Sequence, residues 1–182
     1  MIQVLFIHSA GAQGPGEGSR RLVTALAHQW PEGFTLSAPI MPSPDRPEPD
    51  RWIAAVKSAI DQLQGPFVLA GHSLGGSTIF QVLDRFGMPP GLRGVVTLAS
   101  PFWGAPDWPY PDFGLSGDAA ERLKLLRRVI IMRGDRDDVV AADHPERYRT
   151  LMPQAELRSL PGIDHEAAEA APQLIQAILD IA

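Results

Sequence analysis

The chain has 182 residues, 45% of them apolar and 20% charged, with a formal net charge of −5, the profile of one globular domain with room for a real core. An acidic chain offers no basic surface to nucleic acid or anionic lipid, and no apolar run approaches the roughly 18 residues that a membrane helix needs. There are no cysteines, which excludes disulfides, thiolate metal sites and a cysteine nucleophile together.

No charged segment precedes the first apolar run, so no signal peptide is visible and a cytoplasmic monomer or small homo-oligomer is expected. The 18 prolines are about double the usual share. They cluster at 39–50 and 101–112, and both clusters read as extended loops inside a single domain spanning 1–182.

In chain order, β-rich runs are expected at Ile2–Ile7, Phe34–Ser37, Phe67–Ala70, Gly94–Leu98, Val129–Met132 and, more weakly, Glu156–Leu160. Helical patterns separate them. Leu22, Leu26 and Trp30 recur at i, i+4, i+8; Trp52, Val56, Ala59 and Leu63 form one stripe; Leu74–Phe86 and Gln173–Ile181 follow the same period. Continuous apolar strands alternating with helices predict an α/β fold: a doubly wound, mostly parallel sheet of about six strands with helices on both faces. Such folds place their sites beyond the carboxyl ends of the strands.

The loop after the first strand, "HSAGAQGPGEGSR" at 8–20, is rich in glycine. It lacks the lysine of a phosphate-binding loop, and Gly14, Gly16 and Gly18 have the wrong spacing for a dinucleotide loop. The third strand runs into Gly71-His72-Ser73-Leu74-Gly75 and then a helix. This G-x-S-x-G pattern, between a buried strand and an amphipathic helix, is a nucleophile elbow. A serine on a sharp turn needs tiny neighbours two residues away, and the following helix points its positive end at the hydroxyl.

A serine nucleophile needs a base, and the base needs an orienting carboxylate. Downstream of Ser73 the histidines are His144 and His165. His144 in "ADHPERY" reads as a helix-start residue, with Asp143 before it and Pro145 after. His165 in "LPGIDHE" sits in a turn after the last strand and is the candidate base. The candidate acid lies in "VIIMRGDRDDVV", where pattern alone does not separate Asp135, Asp137 and Asp138. No metal-ligand spacing accompanies these carboxylates. His72 and His28 read as structural.

Together, "GHSLGG", "GDRDDVV" and "GIDH" resemble an α/β hydrolase along nearly the whole chain. The likeness extends to the small, nearly lidless serine hydrolases of the YdeN and retinoblastoma-binding-protein type. The resemblance selects Asp137 through the acid-loop pattern G-x-x-D-x-x-V, filled by Gly134, Asp137 and Val140, with a swap of roles to Asp138 left open. It also implies that the first loop supplies an oxyanion-hole N–H. That family loop begins His-Gly, but here Ser9 follows His8. The implied donors are the backbone N–H groups of Ala10 and Leu74.

The implied activity is cleavage of a small or medium carboxylic ester, or a thioester or amide, through Ser73, His165 and Asp137, with no cofactor and no metal. The expected partner is a small-molecule acyl substrate. The alternative is a non-catalytic protein that uses the hydrolase pocket to bind a small molecule or partner. Pro101–Gly117 occupies the place of a lid. Its Phe102, Trp103 and Trp108, together with His8, are candidates for the substrate pocket. The competing reading is that these aromatic side chains seal the sheet edge.

Overall fold

The computed structural model describes residues 1–105 and 108–182. Its six strands are β1 (Ile2–Ile7), β2 (Phe34–Ser37), β3 (Phe67–His72), β4 (Leu92–Leu98), β5 (Val129–Gly134) and β6 (Glu156–Leu160). All pair in parallel, in the order β2-β1-β3-β4-β5-β6. Among the described residues the six α-helices are α1 (Arg20–His28), α2 (Pro49–Asp61), α3 (Leu74–Phe86), α4 (Ala119–Leu123), α5 (His144–Leu151) and α6 (Ala171–Ile181).

Side chains alternate along a strand, so each strand contributes to two cores. Leu5, Ile7, Leu69, Val95, Val129 and Ile131 face α2 through α5, where Trp52, Phe80 and Tyr148 fill the space. Val4, Phe6, Val68, Ala70, Val96, Leu98, Ile130 and Met132 face α1 and α6 on the other side. The sheet is therefore covered on both faces, which is why its strands read as unbroken apolar runs.

Two predicted stripes differ from the structure at their ends. α1 stops at His28, so Trp30 lies beyond the helix. α2 stops at Asp61 and buries Trp52, Ile53, Val56 and Ile60, leaving Leu63 outside it. Ile53 and Ile60 offer more apolar area to the core than Ala59, and they set the buried face. α3 is buried along nearly its whole length, from Leu74 to Asp84, and packs against α2 on one side and β3 on the other.

Strand order reverses between β1 and β3, the position where a doubly wound sheet opens a crevice at its carboxyl edge. The glycine-rich loop leaves β1 at that point and the serine turn leaves β3 beside it. Asp84 on α3 is buried and accepts hydrogen bonds from the Ser116 amide and hydroxyl, both at 2.8 Å, while Arg122 pairs with it at 3.2 Å. These bonds tie the segment after β4 to the central helix. Among the described residues, no helix is long and apolar enough to cross a membrane.

Candidate active site

β3 ends at His72 and α3 begins at Leu74, so Ser73 alone makes the turn. Its backbone lies at φ 50°, ψ −122°, the first corner of a type II′ turn and a conformation that favours glycine. The Ser73 N–H donates to the Leu98 carbonyl at 2.8 Å, and its carbonyl accepts from the Gly76 amide at 3.0 Å. β4 and the first turn of α3 hold the strain between them. The two flanking glycines are steric necessities. A Cβ at Gly71 would stand 2.6 Å from the Gly76 nitrogen, and one at Gly75 would collide with the Ile7 and His8 carbonyls.

The loops after β5 and β6 bring the other two side chains to this turn. His165 Nε2 lies 3.2 Å from Ser73 Oγ, and its Nδ1 lies 3.1 Å from both carboxylate oxygens of Asp137. The Asp137 side chain is fully buried, whereas that of His165 keeps 15% of its surface exposed. Asp137 Oδ1 also accepts the N–H groups of Val139 at 2.9 Å and Val140 at 2.8 Å. Burial by itself would raise the Asp137 pKa. The bonds from His165, Val140 and Val139 and the attraction of the imidazole outweigh it and hold the carboxyl below its ordinary value. Asp138, the other candidate, is exposed.

Sequence reasoning missed what fixes these loops. The Arg133 guanidinium donates to the carbonyls of Val140, Gly134 and Asp137, each at 2.7 Å. Asp135 accepts the Gly162 amide at 2.7 Å, and the Arg136 amide donates to the Ile163 carbonyl at 3.0 Å. The loops after β5 and β6 are thus laced together. Gly134 is the point of closest approach, because a Cβ there would collide with the Ile163 carbonyl.

The loop after β1 is pinned by two buried side chains that sequence reasoning also passed over. Ser19 Oγ accepts the Ser9 amide at 3.1 Å and shares a hydrogen bond with His8 Nδ1 at 2.8 Å. The Gln13 amide donates to the Ser9 carbonyl at 2.8 Å, and its oxygen accepts the Met41 N–H at 2.9 Å. Ser9 is absent from the residues with positive φ; Gly11, at φ 90°, makes the bend instead. A serine is therefore accommodated where the resembling family has glycine. Ala10 and Leu74 both border the cleft. Among the described residues, neither of their N–H groups donates to another group of the chain.

The cleft above Ser73 measures ≈ 470 Å³ and includes Ala10, Leu74, Trp103, Trp108 and His165 on its walls. Pro47, Pro101, Val139 and Glu166 also line it; these come from four separate loops, and their convergence on one cleft is set by the fold. Two expectations are corrected here. His8 is completely buried behind the loop, held by Ser19, with its pKa lowered to about 4 by burial, and does not border the cleft. Phe102 packs against Tyr148 at a ring-centroid distance of 5.0 Å and joins the core. Phe113, against the Trp103 ring, is buried as well.

Trp103 and Trp108, by contrast, meet edge to face at 4.9 Å on the cleft wall. The lid-like segment therefore both seals and lines, residue by residue; its positions 106 and 107 lie outside the described residues. His144 opens α5 as expected, and its Nδ1 accepts the Phe102 amide at 2.7 Å. A larger cleft, ≈ 550 Å³ against α1 and β2, lies away from this edge, so size does not mark the site. Among the described residues no group of three or more His, Asp or Glu side chains is arranged to hold a metal ion.

The sequence model of a family described as serine hydrolase matches residues 25–149. The chain belongs to the serine hydrolase family. No curated protein sequence matches it. Among solved structures, this serine hydrolase is similar to the ydeN gene product of B. subtilis, with a TM-score of 0.79 at 17% identity, covering 100% of this chain and 98% of that one. It is also similar to the thioesterase domain from the curacin biosynthetic pathway (TM-score 0.70, 17% identity, 97% and 90% covered) and to Est1E from Butyrivibrio proteoclasticus (TM-score 0.68, 16% identity, 98% and 85% covered). At these identities the likeness establishes the fold, which is that of the α/β hydrolases.

Proposed function

We propose that this serine hydrolase cleaves small or medium carboxylic esters through Ser73, His165 and Asp137. The observation that carries the proposal is the continuous chain of contacts from Ser73 Oγ to His165 Nε2 at 3.2 Å and from His165 Nδ1 to Asp137 at 3.1 Å. Ser73 Oγ attacks the ester carbonyl as His165 Nε2 takes its proton. Asp137, kept ionised by its three donors, fixes the Nδ1–H tautomer and stabilises the imidazolium. The backbone N–H groups of Ala10 and Leu74 receive the oxyanion, and loss of one such donor typically costs about 3–4 kcal/mol of transition-state stabilisation. The imidazolium returns its proton to the departing alcohol, leaving an acyl-Ser73 ester. Water, deprotonated by His165, then attacks the ester, releases the acid and restores the serine.

The ≈ 470 Å³ cleft with Trp103 and Trp108 on its wall supports a short or flat acyl group rather than a long chain. A thioesterase domain among the similar folds makes thioesters the first alternative leaving group to try. The test is a fluorophosphonate probe, followed by a panel of p-nitrophenyl esters and thioesters, on wild type and Ser73→Ala. Labelling and hydrolysis should both disappear in a variant that still unfolds cooperatively. Hydrolysis that survives Ser73→Ala would remove the proposal.

A further inference from the structure

His72 precedes the nucleophile and, among the described residues, makes no side-chain hydrogen bond to Ser73 Oγ or Asp137. It is 1% exposed. Its Nε2 lies 2.7 Å from the backbone carbonyl of His165, 93 residues away in sequence. A carbonyl only accepts, so Nε2 carries the proton and donates. Nδ1 is then a bare acceptor, and it is buried with no partner among the described residues. An imidazole with one orphaned nitrogen is a costly way to fill a core position. An apolar side chain would fill the same space without that cost, so the bond from Nε2 calls for a reason.

The partner supplies the reason. The base loop is laced to the acid loop through Asp135, Arg136 and Gly134. The bond from His72 reaches it from the opposite side, the serine turn. We infer that His72 is a positioning residue: its Nε2–H holds the His165 backbone so that the imidazole stands at hydrogen-bond distance from Ser73. The inference rests on the reading of Ser73 and His165 as nucleophile and base.

The two imidazole rings lie 5.4 Å apart, tilted by 39°. A charge on His72 would oppose the imidazolium that forms on its neighbour. Burial, followed by the field of His165, lowers the His72 pKa to about 4, so the positioning group stays neutral through neutral pH.

Glutamine carries its amide nitrogen the same number of bonds from the backbone as Nε2 of histidine, while leucine and phenylalanine offer no donor. His72→Leu and His72→Phe should lose about 10- to 100-fold in kcat and in fluorophosphonate labelling rate, the scale expected when a reacting group is displaced by about 1 Å. KM should stay within about twofold, and His72→Gln should recover most of the loss. Equal rates in His72→Leu and wild type would overturn the inference, as would equal losses in His72→Gln and His72→Leu with both folded.

Should the variants not fold, ¹⁵N NMR of the imidazoles in the unaltered protein decides. The inference expects His72 as a neutral Nε2–H tautomer near pH 7, and a Nδ1–H tautomer overturns it. Ser73→Ala separates the two levels of argument. If Ser73→Ala keeps activity, the catalytic reading has failed. If Ser73 is essential and His72→Leu is unimpaired, only the role of His72 has failed.

Discussion

At an ordinary position, alanine stabilises a chain relative to glycine by about 0.4–1 kcal/mol, because glycine gives the unfolded chain more freedom to lose. At position 73 the order should invert. The φ 50°, ψ −122° conformation belongs to the sparsely populated class that costs a residue with a Cβ roughly 1–3 kcal/mol. Ser73→Ala keeps that Cβ and its strain, whereas Ser73→Gly releases it. Subtracting glycine's entropic penalty leaves Ser73→Gly more stable than Ser73→Ala by about 0.5–2 kcal/mol. For a domain of this size, about 2–4 °C per kcal/mol puts the gap in Tm at roughly 1–8 °C. Both variants lack the hydroxyl, so the lost bond to His165 cancels in the comparison. Calorimetry or denaturant melts of the two purified variants read the difference. A Ser73→Ala protein as stable as Ser73→Gly, or more so, would show that the turn stores no strain and that the hydroxyl is not presented at an energetic cost.

Asp137→Asn should lower kcat by about 10³–10⁴-fold by allowing the wrong imidazole tautomer, while Asp138→Asn, on an exposed side chain, should stay within about twofold; comparable losses in both would reopen the choice of acid. Gly75→Ala drives a methyl into the Ile7 and His8 carbonyls and should cost at least about 1–3 kcal/mol, with slower probe labelling; an unchanged melt refutes the packing argument. His8 and His72 have pKa values of about 4 in the fold against about 6.5 unfolded. Between those values the unfolded chain binds more protons, so stability should fall as pH drops from about 7 toward 4. Below that, protonation of Asp137, whose folded pKa is depressed, takes away more. Urea unfolding at pH 7, 6 and 5 checks the sign, and a flat profile contradicts the burial of neutral imidazoles. Finally, Trp103→Ala and Trp108→Ala should each shift kcat/KM toward longer acyl chains across a p-nitrophenyl ester series; an unchanged chain-length preference in a folded variant removes these rings from the acyl pocket.

Much of the site was legible because part of its chemistry is local. A serine turn between a buried strand and a helix needs small residues two positions to either side, and Gly71 and Gly75 announce it, although the carbonyls that exclude a side chain at Gly75 belong to Ile7 and His8. The sheet was legible for a similar reason: strands covered on both faces must be apolar throughout. The helix ends were less so, because Leu63 continues the apolar stripe of α2 and packs against the same core although the helix stops at Asp61.

The sequence by itself determined the alternation of strands and helices, the turn that presents Ser73, and a short roll of candidate acids and bases. The tertiary structure alone decided the direction in which each loop side chain points. Asp137 turns inward to the amides of Val139 and Val140 while Asp138 faces water. His8 turns back onto Ser19, Phe102 drops into the core beside Tyr148, and His72 reaches the His165 carbonyl. Apart from the two amides beside Asp137, these outcomes depend on partners 11 to 93 residues away, brought close by strand order. A loop residue's own neighbours in sequence carry no record of who will stand opposite it.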